Sequence, residues 1–375
     1  MNHLDRNPVC LLGLPFDAVT MDDAVRTVRE AIRVRRRLFL STPNLNFLIG
    51  SQRDAAFRAS VVDSDLSVAD GMPLVWMSRL LGTSLPERVT GSGLFERLRD
   101  EPPQCAERPI RVYFFGGPPG AAQAAGRSLN ERSAGMVCVG HESPGFGSIE
   151  EMSGPDVLER IDASGADFLV VALGAVKGQA WIQRNRARLR VPVISHLGAV
   201  VNFAAGTVSR APAWVQRAGL EWAWRIKEEP ALWRRYARDA RAFAALFAGK
   251  LLPYLLWLRA HRSASRRAEV QVACTRDAQG IRLAIRGCIA DPVPEAVRAA
   301  LRECLAGEGD VRLDLRGVDS FGPTFAGMLQ LFERAMSQRE RSTTIEGPSA
   351  RTRRLLRWNG LGSLVERAEP VGAAA

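Results

Sequence analysis

At 375 residues the chain is long enough for two domains, and apolar and charged fractions of 46% and 24% suit a soluble protein with a sizeable core. Its opening, MNHLDRNPVC, lacks a basic start followed by an apolar run, and no stretch of about 18 uncharged apolar residues follows, so neither a signal peptide nor a bilayer span is expected. The formal net charge of +11 is uneven: Thr207 to Arg267 holds 13 Lys/Arg against 4 Asp/Glu, a patch suited to anionic lipid or pyrophosphate, while no nucleic-acid-binding module accompanies it.

In chain order, RRLFLSTPNLNFLIGSQ predicts a strand ending at Thr42 and a helix starting after Pro43. SVADGMPLVW, residues 67–76, sets Asp70 between an apolar run and a Gly-initiated helix start, which taken alone is turn chemistry. IRVYFFGGPPGAAQAAGRSL predicts a strand, a glycine-proline turn and an Ala-rich helix. ADFLVVALGAVKGQAWIQRNRARL repeats that plan, and VPVISHLGAVVNFAAG adds another buried strand and loop. Apolar runs each followed by Gly and a helix predict parallel strands covered on both faces. Ligands in such sheets bind at the carboxyl ends of strands, where Thr42, Asp70, Gly116, Gly117, Gly174 and Lys177 fall.

Near Gly206 the pattern changes to Trp, Arg and Leu at helical spacing. FAALFAGKLLPYLLWL is a 16-residue apolar run interrupted by Lys250 and Pro253. It is too short and broken to span, and suits either a helix lying in the membrane interface or a helical pair packed on the core or a sister subunit. HRSASRRAE is linker-like. IRLAIRGCI and VRLDLRGV then alternate as half-buried strands do, with helices expected at 294–305, 324–339 and 350–359, giving a small α/β module. The six cysteines (Cys10, Cys105, Cys138, Cys274, Cys288, Cys304) form no CxxC pair and accompany only four histidines, so neither a metal site nor disulfides are expected.

Residues 10–245 resemble the WecG/TagA/CpsF family of bacterial glycosyltransferases. The resemblance rests on TPN at 42–44, ADGMPLVW at 69–76, PERVTG at 86–91, FFGGPPG at 114–120, PGF at 144–146 and RAPAWVQRAGLEWAWRIKEEP at 210–230, in that order. It implies a Rossmann-like parallel-sheet domain over 1–206 and a basic helical appendage over 207–267 that touches the membrane. The implied reaction is an inverting, cofactor- and metal-independent transfer from a UDP-sugar, of N-acetylmannosamine or glucose type, to a polyprenyl-pyrophosphate-linked saccharide. Its place is the cytoplasmic face of the inner membrane, in surface or exopolysaccharide synthesis.

On that resemblance Asp70 falls on the catalytic base and Thr42 on a substrate-positioning threonine, with Asn44 in the same motif. Arg88 falls on an arginine suited to the charge that develops on the leaving UDP. Gly116, Gly117 and Gly174 allow backbone to approach phosphate or ribose, and Lys177 and Asn202 lie near the same region. Arg210, Arg217 and Arg225 would meet the pyrophosphate-lipid, and Arg234, Arg235, Arg238 and Arg241 lipid head groups. Three departures stand out. GAVKGQ at 174–179 replaces the usual G-x-P-K-Q-E, HL at 196–197 replaces a Gly-Val pair, and Asn202 replaces an aspartate. They point to a different sugar or to lost catalysis, and His196 reads more readily as a satisfied core histidine than as a ligand contact.

Within a C-terminal domain over 268–375, residues 268–370 resemble a STAS domain, carried by VRLDLRGVDSFGPTFAGMLQLF and TTIEGPSARTRRLLRWNGL. Gly322, Pro323 and Thr324 stand where phosphorylatable members have a D-S-S/T-like stretch, so Thr324 is either a regulatory hydroxyl or simply a helix cap. The module is expected to bind a protein partner. Two other readings compete: a decayed glycan-lipid-binding scaffold with a regulatory tail, and a nucleotide-cofactor oxidoreductase. The last lacks a G-x-G-x-x-G fingerprint.

Overall fold

The computed structural model describes residues 3–366 except 84, 104–107, 146, 207–210, 213, 216–218, 262–269 and 279. The chain opens with a hairpin, β1 (Pro8–Leu11) and β2 (Leu14–Asp17), whose two-residue turn places both Leu12 and Gly13 at positive φ. Six parallel strands follow: β3 (Leu38–Ser41), β4 (Leu66–Ser67), β5 (Ile110–Gly116), β6 (Met136–Glu142), β7 (Phe168–Ala172) and β8 (Val193–His196). Their order is β4-β3-β8-β7-β5-β6.

Alternation along these strands sorts the core into two layers. Val112, Phe114 and Val170 pack towards α1 (Met21–Arg33), α5 (Gly91–Asp100), α6 (Ala121–Arg132) and α9 (Gly198–Ala204). Tyr113, Phe115, Leu169 and Val171 pack on the other face, towards α7 (Pro155–Ala163) and α8 (Ala175–Asn185). Near the β4 edge, α2 (Leu45–Ser51), α3 (Ala55–Val62) and α4 (Met72–Leu80) join the hairpin in a third cluster.

The appendage contains α10 (Glu221–Glu228) and a long helix: α11 (Trp233–Leu246), a π-helical turn at Phe247–Leu251 and α12 (Leu252–His261). The span Trp233–Ala260, 28 residues, is by length and composition the one helix among the described residues long and apolar enough to cross a membrane. In the sequence the 16-residue run reads as too short and broken to span because Lys250 and Pro253 interrupt it, whereas the helix continues through both. Its carboxyl half is nevertheless tied to the protein body: Leu251 and Tyr254 are fully buried, and Lys250 donates to Gln52 Oε1 at 2.8 Å.

A four-stranded sheet completes the structure, in the order β12-β11-β10-β9: β9 (Gln271–Asp277), β10 (Gly280–Ile289), β11 (Val311–Phe321) and β12 (Thr343–Glu346). It carries α13 (Glu295–Ala306), α14 (Pro323–Ser337), α15 (Ala350–Trp358) and α16 (Gly362–Glu366). The module shares one continuous apolar core with the hairpin and α12. Polar bonds pin this seam: Arg298 donates to the Leu4 and Arg6 carbonyls, Gln330 to those of Gly13 and Asn359, and Arg334 pairs with buried Asp63.

Candidate active site

The tails of β3 and β4 run side by side. Val68 N–H donates to the Ser41 carbonyl and Asp70 N–H to that of Pro43, each at 3.0 Å, which fixes Asp70 beside the Thr42–Asn44 turn. Gly91, at the start of α5, gives its N–H to Asp70 Oδ2 at 3.2 Å. A Cβ there would lie 2.5 Å from Leu197 Cδ2 and 3.1 Å from Thr42 Oγ1, so the donor reaches the carboxylate only because residue 91 has no side chain.

Asp70 opens into a cavity of about 690 Å³ lined on one side by the appendage. Met72, Phe203, Trp222, Trp224 and Trp233 give it apolar walls. Burial pushes the Asp70 carboxyl up to about 6; the Gly91 hydrogen bond opposes the rise, neighbouring Glu221 adds to it, and Arg88 and Arg225 hold it back. A carboxylate with that balance can be ionised at neutral pH and still accept a proton.

Of the residues singled out from the sequence, Asp70, Asn44, Arg88, Arg225 and Arg235 line this cavity. Arg88 is not a lone cation, since its Nη1 pairs with Glu221 Oε2 at 2.8 Å and joins the core to α10. Arg225 lies 5.5 Å over the Phe203 ring, and its Nε is buried without a hydrogen-bond partner. Asn44 caps α2, accepting from the N–H groups of Asn46 and Phe47. Thr42, read from the sequence as a substrate-positioning threonine, is buried beneath Gly91, outside the cavity lining, and packs the turn that holds Asp70.

Gly116, Gly117, Gly174 and Lys177 occupy the carboxyl ends of β5 and β7, outside the cavity lining. Gly116, at φ +103°, brings backbone so close to β7 that a Cβ would meet the Ala172 carbonyl at 2.7 Å. Lys177 donates to the Gly147 carbonyl, so it is tied to a loop. Asn202 sits on α9 between the lining residues Ala199 and Phe203 and is not itself lining. Arg234 and Arg238 are exposed on α11, Arg234 within 5.9 Å of the Trp233 ring centre. Arg210 and Arg217 lie outside the described residues.

Two departures in the sequence prove to be one feature. A Cβ on Gly178 would lie 2.3 Å from His196 Cδ2, so the histidine ring fills the space that a side chain at 178 would need. His196 is not a satisfied core histidine, because its Nε2 is buried with no hydrogen-bond partner. Burial lowers its pKa to about 4, and the ring stays neutral. Gln179, the third altered residue nearby, donates to Ser41 Oγ at 3.0 Å.

Sequence reading singled out neither Glu221, nor the aromatic walls, nor Asp239, which accepts from Asn46 Nδ2 at 3.2 Å and ties α11 to α2. Glu221 sits within a quoted motif, but its partner Arg88 is 133 residues away. In the C-terminal module, Thr324 is 3% exposed and is not the cap of α14. Gly322 holds that position, and the Thr324 N–H is bonded to Asp291 Oδ1 at 3.1 Å.

Residues 272–366 match the family model described as Mlab, STAS domain. The N-acetylglucosaminyldiphosphoundecaprenol N-acetyl-beta-D-mannosaminyltransferase of Bacillus spizizenii is 28% identical over 197 residues, 52% of this chain and 74% of that protein. The protein of the same name from Staphylococcus aureus strain MRSA252 is 25% identical over 233 residues, 61% of this chain and 87% of its own. Residues 9–255 match the model of the glycosyl transferase WecG/TagA/CpsF family, and the chain belongs to that family.

Proposed function

We propose that this chain is an inverting glycosyltransferase that moves a sugar from a UDP-sugar to a polyprenyl-pyrophosphate-linked saccharide. The observation that carries the reading is Asp70, a carboxylate raised to about 6 at the base of a cavity whose other charged groups include Arg88 and Arg225. The acceptor hydroxyl gives its proton to Asp70 while its oxygen bonds to the donor C1; the bond from C1 to the UDP oxygen breaks on the opposite side, and UDP leaves. Arg225, with an unpartnered buried Nε, is the better-placed cation for a pyrophosphate, because Glu221 already neutralises Arg88. The tryptophan-rich walls suit a polyprenyl chain, and the printed names of the relatives support an undecaprenyl-diphosphate acceptor with an N-acetylmannosaminyl donor group.

The enzyme on this reading is peripheral on the cytoplasmic face of the membrane, in surface or exopolysaccharide synthesis. Exposed Trp222 and Trp233 and the arginines of α11 meet the head-group layer. The working units are the core (1–206), the appendage (207–267) and the STAS-like module (268–375). The test is UDP release from a panel of UDP-sugars with polyprenyl-pyrophosphate-linked N-acetylglucosamine or glucose. Release that requires both acceptor and donor supports the transferase. Silence from folded protein that still binds the lipid acceptor would favour a non-catalytic scaffold, the reading to which the altered 174–202 region lends weight.

A further inference from the structure

The STAS-like module has its own surface beside the long helix. Tyr254 of α12 stacks on Trp358 of α15 with ring centres 5.1 Å apart, and Trp257 meets the same indole edge-on at 6.0 Å. Asn359 Nδ2 donates to the Tyr254 hydroxyl at 3.2 Å, and the Arg351 guanidinium lies 6.0 Å from the Trp257 ring centre. The two helices are thus locked face to face. With Leu251 and Tyr254 turned inward and fully buried, helical spacing sends Leu252 and Leu256 outward, 40% and 56% exposed. One position beyond Leu256, Trp257 of α12 meets the arginine-bearing α15 through Arg351 and Trp358.

That helix, ARTRRLLRW, holds four arginines and no acid. Thr352, Leu355 and Leu356 anchor it inside the module, and Thr352 Oγ1 donates to the Val318 carbonyl. Arg354 and Arg357 are exposed, and no ion pair is formed by either among the described residues. Outward leucines on α12 and exposed arginines on α15, the two helices joined through Tyr254, Trp257 and Trp358, form the pattern of an interfacial membrane contact: apolar side chains enter the acyl boundary while guanidinium groups stay with head-group phosphates.

We propose that α15 of the C-terminal module, together with the Leu252/Leu256 stripe of α12, is a second site for an anionic bilayer surface. This rests on the reading of the enzyme as a membrane-peripheral transferase. It gives the module a role distinct from recruitment of a protein. Because α15 is fixed to α12 by stacked rings, docking at both ends sets the angle at which the cavity meets the membrane.

The experiment is co-sedimentation of the full chain with vesicles of phosphatidylglycerol and phosphatidylcholine, compared with pure phosphatidylcholine. Arg354→Gln/Arg357→Gln and Leu252→Ser/Leu256→Ser are tested beside the wild type. Each charge near an anionic surface strengthens binding by roughly fivefold, so the arginine variant should lose at least tenfold in partitioning to anionic vesicles. Its melting temperature and its turnover of a short-chain, water-soluble acceptor should not change. The leucine variant should lose binding to both vesicle types. If the wild type binds anionic vesicles and both variants bind equally well, this proposal is overturned while the membrane reading survives, and the basic face belongs to a protein partner. If the wild type binds neither vesicle, the membrane reading itself falls.

Discussion

Two strand-to-helix junctions in this chain share a plan and differ in what occupies the space before them. After β4 the chain passes through Asp70 and Gly71 into α4; after β11 it passes through Gly322 and Pro323 into α14. At the first, the junction supplies its own carboxylate, and that carboxylate faces a large cavity. At the second, Asp291 reaches across from the end of β10 and fills the space. A Cβ on Gly322 would lie 2.5 Å from the Asp291 carboxyl, and the Thr324 N–H is already bonded to it. One piece of backbone architecture is thus a reaction site where it stays open and a structural joint where its own chain plugs it.

The sharpest way to break the comparison is at the open junction. Asp70→Asn removes the proton acceptor and keeps the shape, so UDP release should fall by about 10²- to 10⁴-fold with little change in donor affinity. Unchanged turnover would remove Asp70 as the base. The pH profile follows from the carboxyl at about 6: the base must be ionised, so turnover should fall tenfold per unit below about pH 6 and level off above it. The stability sign is opposite. The folded-state pKa lies above the ordinary 3.8, so the native state takes up a proton as pH falls through about 6 towards 4, and ionisation above that window costs stability. Asp70→Asn should therefore raise the melting temperature at pH 7, as scanning calorimetry can show.

Next in size is the seam that holds the plugged sheet to the open one. Asp63 is 1% exposed, pairs with Arg334 of α14 and also accepts from Gln183 of α8. Asp63→Ala strands both donors and should cost about 2–4 kcal/mol in urea unfolding, less than a fully buried pair because Arg334 is partly solvated. Arg334→Met should cost more than Asp63→Ala, since it leaves the buried carboxylate with Gln183 but no cation, whereas the Arg334 left by Asp63→Ala is partly solvated. The reverse order would show that the packing of Arg334, and not the charge on Asp63, sets the strength of the seam.

At the carboxyl ends of β7 and β8, in the middle of the open sheet, Gly178 and His196 test whether departures there compensate one another. Gly178→Gln alone forces a side chain into the histidine ring and should destabilise by about 1–3 kcal/mol. In the Gly178→Gln/His196→Gly double variant most of that loss should return, with a coupling of about 1–3 kcal/mol. Simple additivity of the two single changes would refute the complementarity.

FLVVA and VISH were legible because each is an apolar run with a glycine two residues after it, and LFLS because a Thr-Pro-Asn turn follows it. The hairpin escaped notice since Leu12-Gly13 is not one of the usual Asn-Gly or Asp-Gly turns. The apolar run before Asp70 marked the place of β4, but with only two residues the strand is too short for any period to set its bounds. Within the site, Asp70 and Arg88 could be read from motifs, whereas the Glu221 pairing and the depth of Thr42 depend on packing between distant segments. Gly178 and His196 were each visible as oddities. Their reciprocity needed coordinates, because nothing in a linear chain says that residue 178 faces residue 196.

The smallest predicted effect is at the plugged junction. Thr324→Val keeps the backbone N–H that Asp291 accepts and removes only the hydroxyl, so it should cost about 1 kcal/mol and leave turnover unchanged. Thr324→Asp places a second carboxylate against Asp291, whose own pKa burial has already raised. Like charges in a closed space repel, and α14 cannot yield without disturbing the Gln330 bonds to Gly13 and Asn359. Thr324→Asp should therefore be clearly less stable than Thr324→Val in urea unfolding, and less so at pH 5 than at pH 8, as protonation relieves the repulsion. Equal stability of the two at pH 8 would mean that the second junction can open, and that a hydroxyl-borne anion has room there after all.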